Sequence, residues 1–396
     1  MNNISSLLSL SLLRYWQTGI LLAITGLWFF CSLTIPLPAS AATRYETGIS
    51  TNATLLWMND KDLDVRLRDI KNLGATWIRV DFSWSAIQPD NKNDYNWEKY
   101  DRVVQAAGVH HLKILAVLDY TPKWARPARC QAMASDETSA EKCSPASSTA
   151  FARFAGTAAA RYHTKSVRGW EIWNEQNLTA YWETVQPDAS LFVDPKAYAR
   201  LANKAAAQIR RYTDAAIITG GLSPLFEPSR TTGMRQSDYL AQLLPYLRLN
   251  LFDGIGIHPY SWPVLPSRDA SFNAFYTVDN GSSKYNLRSI MNTAGWSDKQ
   301  IWGTEYGAST EGVRSVTLSP SSRADHVSER VQAQIVMQGV EDWYTKPNVG
   351  PLFVHSDSDQ WLTTQSNEGG FGLRRANGTQ KPAYNALKTA TEQLRK

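Results

Sequence analysis

The stretch Val167-Arg168-Gly169-Trp170-Glu171-Ile172-Trp173-Asn174-Glu175-Gln176-Asn177 reads as a buried strand that ends in polar and ionisable side chains. Its apolar, aromatic and β-branched residues are typical of a parallel strand covered on both faces. Glu171, Trp173 and Glu175 stand two residues apart, so strand alternation predicts that they share one face. A carboxylate at the tip of a buried strand is costly unless it is paired or used.

A second stretch, Gln300-Ile301-Trp302-Gly303-Thr304-Glu305-Tyr306-Gly307, repeats this pattern as a short apolar strand that ends near Glu305. For a single glutamate of this kind, a solvated position just beyond the strand is the commoner outcome, because buried carboxylates are rare. Two such strands in one chain favour a pair of carboxylates that act together.

The composition is that of an ordinary globular protein. The 396 residues are 43% hydrophobic and 19% charged, which suits one domain of α/β-barrel size or two smaller domains. The formal charge of +5 is spread without a basic block, so we expect no nucleic-acid partner. Fifteen Trp and seventeen Tyr supply rings that suit stacking on sugars, although most single Trp side chains pack in cores.

The N-terminal residues have the pattern of an export signal. Arg14 precedes an apolar run from Ile20 to Leu37, and the small residues Ala39-Ser40-Ala41 follow. We therefore expect residues 1–41 to be a signal peptide and the protein to be periplasmic or secreted. The run of about 18 residues is also at the lower limit for a membrane span, so an inner-membrane anchor facing the periplasm is the alternative. Membrane association is expected only in that case.

Two cysteines, Cys130 and Cys143, remain after removal of residues 1–41. An even pair in an exported protein favours a disulfide. On the loop-entropy model, closing this segment of about 14 residues stabilises the fold by about 3 kcal/mol.

Strand-like and helical segments alternate along the rest of the chain. The strand-like segments are 46–50, 76–84, 113–120, 167–173, 215–220, 252–258, 300–304 and 350–355. The helical segments are 60–73, 97–107, 147–162, 195–212, 237–247, 287–294, 322–343 and 382–394. The alternation predicts a parallel sheet, and its eight pairs predict a single-domain (β/α)8 barrel over residues 42–396. A doubly wound sheet is less favoured, because no glycine-rich phosphate loop follows the first strand.

Two long insertions, 121–146 and 262–283, follow the third and sixth strands on their C-terminal side. Barrel enzymes build their sites on that face, so we expect both insertions to wall a cleft. Glu175 ends the fourth strand and Glu305 ends the seventh, which places them on opposite sides of the barrel mouth. A protonated and an ionised carboxyl group facing each other are the parts of a glycosidase.

These motifs resemble those of a known family. Trp173-Asn174-Glu175 and Thr304-Glu305-Tyr306-Gly307 look like the paired motifs of clan A retaining glycoside hydrolases. Within the clan, the chain is most similar to family 39 and its PslG-like bacterial exopolysaccharide hydrolases. The supporting motifs are Tyr120-Thr121-Pro122-Lys123-Trp124-Ala125, Gly220-Gly221-Leu222-Ser223-Pro224, His258-Pro259-Tyr260 and Lys381-Pro382-Ala383-Tyr384.

The resemblance implies retention of configuration by double displacement. It gives Glu175 the role of acid/base and Glu305 that of nucleophile, and Asn174 is expected to donate to the sugar 2-hydroxyl. Either Tyr260 or Tyr306 is expected to hydrogen-bond the nucleophile and hold it ionised. The two carboxyl groups should lie about 5–5.5 Å apart.

Other candidates have two interpretations. Arg79 points inward on the second strand, where it either holds Glu305 ionised or pairs with Glu171. His258 orients Glu175 or the substrate, or else is a hydrogen-bonded core histidine. The candidates for contact with sugar near the strand ends are Trp84, Trp124, Trp182, Trp262, Asn177 and Tyr181.

Two features depart from the clan pattern. Gln176 stands where many relatives have Pro, which is expected to loosen the turn after the acid/base. The clan often places a Trp at the end of strand eight, whereas here Trp361 comes six residues after His355, so both are candidates for the sugar site. Asp357 and Asp359 are more typical of a solvated turn than of a calcium loop, which needs more ligands.

The sequence therefore predicts a glycoside hydrolase that acts on oligosaccharides or polysaccharides as a monomer, without cofactor or metal. The long loops favour endo action, while exo action and transglycosylation remain open. A non-catalytic carbohydrate-binding barrel is the alternative of another class, and the Glu175–Glu305 pair argues against it. A metal-dependent hydrolase is disfavoured, because the six histidines form no ligand pairs at helical spacing.

Overall fold

The computed structural model describes residues 45–128, 130, 140–182, 184–185, 191–229, 231–270, 272–282, 284–310, 326–360 and 367–396, with backbone only at 184–185, 191–192 and 367. The expected signal peptide, residues 1–41, and Trp361 lie outside these ranges. Arg44–Lys396 form one compact unit. None of the helices within the described ranges is both long and apolar enough to cross a membrane.

Eight parallel strands close into a barrel, as the alternating segments predict. They are β1 (Thr47–Asn52), β2 (Trp77–Ser83), β3 (Lys113–Asp119), β4 (Val167–Asn174), β5 (Ala216–Gly221), β6 (Gly254–Ile257), β7 (Gln300–Tyr306) and β8 (Val349–His355). Neighbours in the barrel follow chain order, and β1 closes the sheet against β8 in a register that pairs Ser50 with His355. The predicted single (β/α)8 barrel is confirmed.

Helices cover the outside of the barrel. The longer ones are Asp60–Asn72, Glu98–Val109, Ser148–Tyr162, Pro195–Ile209, Gln236–Leu243, Leu287–Thr293, Glu329–Trp343 and Pro382–Gln393. Shorter helical turns are Thr54–Trp57, Trp84–Ile87, Lys123–Ala125, Leu244–Tyr246, Leu249–Leu251, Tyr276–Val278 and Asn367–Gly370. After β4, Thr184–Val185 and Leu191–Phe192 pair as a small antiparallel two-stranded sheet that the sequence pattern did not indicate.

Polar caps set several helix starts. Asp194 accepts hydrogen bonds from two backbone N–H groups of the first turn, so the helix begins at Pro195, as expected. Ser328 accepts a hydrogen bond from the N–H of Val331, and the helix expected from residue 322 begins at Glu329 instead.

Large rings fill the barrel interior near the strand starts. They can approach one another because neighbouring strands carry glycine: a Cβ at Gly48 would lie 2.3 Å from the ring of Phe353. The side chains of this inner layer are Trp77, Leu115, Ile218, Trp302 and Phe353. This layer closes the lower part of the barrel, so the polar residues above it can only meet at the C-terminal mouth.

The end of β4 departs from strand alternation. Glu171 points into the barrel, but Trp173 packs outside it, edge-on against Phe151 of a covering helix. The backbone φ angle is +74° at Trp173 and +50° at Glu175, in a region that few side chains adopt. The expectation that Glu171, Trp173 and Glu175 share one face is therefore wrong for Trp173. This break in the strand brings Asn174 to the barrel mouth.

Both long insertions are tied down internally. The insertion after β3 contains the expected disulfide between Cys130 and Cys143, whose Cα atoms are 6.3 Å apart. The hydroxyl of Thr121 donates to the carbonyl of Cys143 over 2.6 Å. In the insertion after β6, the amide of Asn273 donates to three loop carbonyls. These bonds hold the described parts of both insertions in place.

Candidate active site

A cavity of about 350 Å³ opens at the C-terminal end of the barrel. Its volume is within the range of small-molecule sites. The residues that line it are Asn52, Arg79, Asp81, Tyr120, Asn174, Glu175, Leu178, Tyr181, Ser223, Pro224, Tyr260, Trp262, Glu305, His355, Glu368 and Phe371. Those predicted from the sequence are Arg79, Asn174, Glu175, Tyr181, Tyr260, Trp262, Glu305 and His355.

Glu305 is held by several groups at once. Its Oε1 accepts from Nη1 of Arg79 at 2.7 Å, and its Oε2 accepts from the hydroxyl of Tyr260 at 2.9 Å. Burial by itself raises the pKa of Glu305, but His258, His355, Arg79 and the Tyr260 hydrogen bond together lower it to about 2. Glu305 is therefore ionised at neutral pH.

Arg79 makes both of the contacts considered from the sequence, one with Glu171 and one with Glu305. Its Nε and Nη2 donate to the carboxylate of Glu171 at 2.7 and 3.1 Å, while Nη1 donates to Glu305. Only 1% of the Arg79 side chain is exposed and Glu171 is fully buried, so each charge needs the other. The guanidinium has five N–H donors, which is why it can pair with Glu171 and still hold Glu305.

Asn174 is oriented by the same guanidinium. Its Oδ1 accepts from Nη2 of Arg79 at 2.7 Å. Because a guanidinium carries only donors, the amide turns its oxygen toward Arg79 and its NH2 group away. That orientation leaves the NH2 group able to donate to a sugar hydroxyl.

His258 lies between the two glutamates. Its Nδ1 is 3.1 Å from Oε1 of Glu175 and 3.7 Å from Oε2 of Glu305. Those two oxygens are no farther apart than the sum of the two distances, a bound that includes the ~5–5.5 Å spacing of retaining enzymes. Burial lowers the pKa of His258, but Glu305 and Glu175 together raise it above the ordinary value. The structure places His258 as an orienting partner of Glu175.

The backbone of Gly221 forms hydrogen bonds with both Glu171 and Glu175. The N–H of Glu175 donates to the Gly221 carbonyl at 2.9 Å, and the Gly221 N–H donates to Glu171 at 2.8 Å. A Cβ on Gly221 would lie 2.3 Å from Nε2 of His258. The side chain of Gln176 donates to a β5 carbonyl at 2.9 Å, so it fastens the turn rather than loosening it.

Two polar residues predicted for the site lie elsewhere. Tyr306 follows Glu305 directly, so strand alternation turns it outward, and its hydroxyl donates to the Ile335 carbonyl at 2.9 Å. Asn177 is fully buried and donates to the carbonyls of Ser223 and Met234 at 2.9 Å. Of the two tyrosines considered, Tyr260 is therefore the one that contacts Glu305, and Asn177 braces a loop.

Three tryptophans predicted near sugar also lie outside the cavity. Trp124 donates from Nε1 to the Gln88 carbonyl at 2.8 Å and packs edge-on against Trp84, which is fully buried. Trp182 is 2% exposed and packs edge-on against Trp173. These rings support the walls of the mouth, and Trp262 is the predicted tryptophan that lines it.

Several lining residues were not predicted. Asp81 lies two residues after Arg79 on β2, so strand alternation could have placed both on the inner face. Asn52 ends β1 and Tyr120 follows β3, positions that a barrel assigns to the site. Phe371 comes from the loop after β8, and nothing in its neighbourhood in the sequence marks it.

A second pair of carboxyl groups, Asp81 and Asp119, lies beside the glutamates. Asp119 is 1% exposed, and neither of its oxygens has a hydrogen-bonding partner within the described ranges. Burial and then the charge of Asp81 raise the pKa of Asp119 well above its ordinary value. Burial, opposed by Arg79 and reinforced by Glu305, raises the pKa of Asp81 to about 7. Asp81 therefore changes charge near neutral pH.

Asp357 and Asp359 are ion-paired and not in a solvated turn. Asp357 pairs with Arg66, and Asp359 pairs with Lys381 at 2.8 Å, so both fasten the loop after β8 to neighbouring parts of the barrel. In the part of the chain that the structure describes, no cluster of three or more His, Cys, Asp or Glu side chains is arranged to hold a metal ion.

A parallel (β/α)8 barrel with two glutamates across its mouth, at strands β4 and β7, defines the class of glycoside hydrolases. The chain belongs to the cellulase family, glycosyl hydrolase family 5, whose model matches residues 39–335. This family confirms the membership of clan A that the motifs predicted. It also supports a glycoside hydrolase over the non-catalytic carbohydrate-binding barrel. No curated protein matches the sequence.

Solved structures similar to this chain include members of families 39 and 5. A family 39 glycoside hydrolase from Bacteroides cellulosilyticus WH2 is 19% identical with a TM-score of 0.63, over 89% of this chain and 64% of that one. A monomeric beta-xylosidase from Caulobacter crescentus CB15 is 18% identical with a TM-score of 0.60, over 87% and 67%. A GH5_18 protein from Streptomyces cattleya, in complex with GlcNAc, is 16% identical with a TM-score of 0.58, over 89% and 81%. The chain thus covers about two thirds of the length of the first two structures. At these identities, the similarity to all three structures shows a shared fold.

Proposed function

We propose that the protein is a retaining β-glycosidase in which Glu305 is the nucleophile and Glu175 the acid/base. Glu305 attacks the anomeric carbon as the glycosidic C–O bond breaks, and Glu175 gives its proton to the leaving oxygen. Glu175 then takes a proton from water, whose oxygen attacks the anomeric carbon and displaces Glu305. Two inversions leave the product with the configuration of the substrate.

The unequal surroundings of the two glutamates carry this proposal. Glu305 accepts hydrogen bonds from Arg79 and Tyr260 and has a pKa lowered to about 2, which suits a nucleophile that must be ionised. Within the described ranges, the imidazole of His258, which is charged only when protonated, lies 3.1 Å from Glu175. The bound on the spacing of the two carboxylates leaves room for the ~5–5.5 Å of retaining enzymes.

The charge of the cavity supports a neutral sugar at the catalytic position. Asp81, Glu175, Glu305 and Glu368 all line it, while the charge of Arg79 is already shared between two glutamates. An anionic sugar would be repelled here, whereas hydroxyl groups find many acceptors. We therefore propose a neutral β-linked oligosaccharide or polysaccharide as substrate.

Endo action on a polymer, of the kind carried out by PslG-like exopolysaccharide hydrolases, is part of the same proposal. It is supported by the two internally braced loops beside the mouth. Export by residues 1–41 and action as a monomer also belong to it, and rest on the sequence alone.

The test uses residues 42–396 with aryl β-glycosides, β-glucans, xylans, mannans and bacterial exopolysaccharides. On the substrate that is cleaved, Glu175→Gln should lower kcat by about 10²–10⁴-fold, and Glu305→Gln by at least as much. NMR during the first turnovers should show the β-anomer as the first product. Glu329→Gln is the control, because Glu329 pairs with Arg375 away from the cavity. An α-anomer, or full activity in Glu305→Gln, would refute the mechanism.

The sizes of the products separate the two modes of action. An early appearance of long fragments from a polymer supports endo action. Release of single sugars from the outset would reject it and leave an exo-acting enzyme of the same chemistry.

A further inference from the structure

A second cavity, of about 340 Å³, lies beside the catalytic cavity. Its lining residues come from the loops after β5 and β6 and the helices that follow them. They are Pro224, Leu225, Phe226, Arg235, Gln236, Ser237, Asp269, Ala270, Ala274, Tyr276, Thr277, Gly281, Ser282, Tyr285 and Leu287. Pro224 also lines the catalytic cavity, as does its neighbour Ser223. The segment 223–226 therefore borders both cavities and makes them neighbours.

The lining of this second cavity includes a residue whose hydroxyl has no hydrogen-bonding partner within the described ranges. Ser237 is 3% exposed, and its hydroxyl has no hydrogen-bonding partner in the part of the chain that the structure describes. A buried hydroxyl without a partner destabilises a fold, so such groups usually meet a ligand or an ordered water. Ser237 lines the cavity through other atoms, and rotation about its Cα–Cβ bond would be needed to bring the buried hydroxyl to a bound sugar hydroxyl.

A cation stands at the rim of the same cavity. The guanidinium of Arg235 lies 4.8 Å from the ring centre of Tyr285, and one of its nitrogens donates to the Phe226 carbonyl at 3.1 Å. Arg235 makes no ion pair with a carboxylate of the described residues, although Asp269 lines the same cavity. A guanidinium has five N–H donors, so Arg235 keeps several for a ligand.

The chemistry of the lining fits a sugar. The half-buried rings of Phe226 and Tyr276 offer apolar faces, and Arg235, Asp269 and Ser237 offer donors and acceptors. One positive and one negative side chain balance each other, which suits the hydroxyl groups of a neutral ring better than an ionic substituent. The volume is also in the range of small-ligand sites.

We propose that this cavity is a remote subsite that binds a further neutral sugar unit of the chain held in the catalytic cavity. The inference rests on the proposed function, because it assumes that the catalytic cavity binds one part of the same sugar chain. It gives a physical reason for preferring polymers, because a long substrate occupies both cavities while a short one occupies only the first. The gain from two linked sites exceeds that from either alone.

The test compares two substrates of the same sugar. One is the aryl glycoside that the enzyme cleaves, and the other is a series of oligosaccharides of increasing length. Arg235→Ala and Ser237→Ala should lower kcat/KM on long oligosaccharides by about tenfold, mainly through KM, and leave the aryl glycoside unaffected. Lys196→Ala is the matched control, because Lys196 stacks on Tyr246 at 5.3 Å without lining either cavity. Equal losses on both substrates, or none on either, would overturn the proposal.

Binding measurements keep this inference separate from the catalytic one. Calorimetry on Glu305→Gln should show affinity for the same oligosaccharides that rises with their length, and Arg235→Ala added to it should remove the rise. Affinity that does not increase with length would reject the remote subsite even if hydrolysis is found. Length-dependent binding that is lost with Arg235, in a protein that cleaves nothing, would support the subsite and reject the hydrolase.

Discussion

Arg79 donates a 2.7 Å hydrogen bond to Glu305 across the barrel mouth, from β2 to β7. The remaining donors of the same guanidinium are bound by Glu171 and Ser50 inside the barrel and by Asn174 at its rim. Such a group has one stable position, because moving it would leave a buried carboxylate unpaired. A single buried ion pair therefore positions both the proposed nucleophile and the amide that is expected to bind the sugar.

Removing the charge of Arg79 should shift the pH dependence of activity. Arg79 acts with His258 and His355 to overcome the effect of burial on Glu305, so the pKa of Glu305 should rise in Arg79→Met. Since Glu305 must be ionised to attack, the acid limb of kcat/KM against pH should move to higher pH. An acid limb that stays in place would contradict this role.

The choice of variant matters for that experiment. Arg79→Met alone leaves Glu171 as an unpaired buried charge, with an expected loss of about 3–5 kcal/mol in stability. The double variant with Glu171→Gln removes that charge, and Glu171→Gln alone serves as its control because it keeps Arg79. The shift of the acid limb should follow Arg79 and not Glu171.

Gly221→Ala should lower kcat without abolishing the fold. The added Cβ would lie 2.3 Å from Nε2 of His258 and 2.4 Å from the hydroxyl of Thr304, so His258 must leave its present position beside Glu175. Displacement by about 1 Å in such a site costs about 10²-fold in rate. Gly169→Ala is the control, since its Cβ would meet Leu115 near the strand starts and affect stability rather than kcat. Equal kcat values for the two variants would disprove the orienting role of His258.

Much of the fold could be predicted because apolar runs and their spacing report burial directly. The strands β4 and β7 were predicted close to their true bounds, and so were the glutamates at their ends. Tyr306 was a misplaced candidate, although alternation from Glu305 excludes it from the inner face. Trp173 was misplaced for the opposite reason, since its positive φ breaks the alternation that the prediction used.

Other features depend on contacts between distant segments and left no trace in the local sequence. The sequence left open whether Arg79 pairs with Glu171 or with Glu305, and only the barrel geometry shows that it reaches both. Phe371 enters the cavity from a long loop, where no periodic pattern exists to place it. The sequence placed Asn177 near the sugar, but in the structure its side chain donates to two backbone carbonyls of a neighbouring loop.

Loss of the disulfide should destabilise the protein and leave its chemistry intact. Replacing Cys130 and Cys143 together by Ser should lower the free energy of unfolding by about 3 kcal/mol, since the bond restricts the unfolded chain. Thermal unfolding with and without reductant measures the effect. Wild type in reductant should match the double variant, and the double variant should not respond to reductant. A wild type that ignores a reductant strong enough to open the bond would contradict the prediction.

Asp81→Asn should stabilise the protein at neutral pH and lose that advantage in acid. Burial, opposed by Arg79, raises the pKa of Asp81 from 3.8 to about 7, so the folded state holds this proton more tightly than the unfolded state. The stability that protonation provides is present below pH ~4 and is lost as pH rises toward ~7. Asn does not titrate, so the variant should gain up to about 4 kcal/mol at pH 8 relative to wild type.

The measurement is denaturant unfolding of wild type and Asp81→Asn at pH 4.5 and pH 8. Glu305 works in the opposite direction: its lowered pKa contributes stability above pH ~4.5 that is lost as pH falls toward ~2, and both proteins share it. The difference between them therefore reports Asp81 together with its electrostatic coupling to Asp119 and Glu305. Asp298→Asn is the control, because the side chain of Asp298 is largely exposed. A difference of the same size at both pH values would show that Asp81 does not carry a raised pKa and that the variant acts through packing alone.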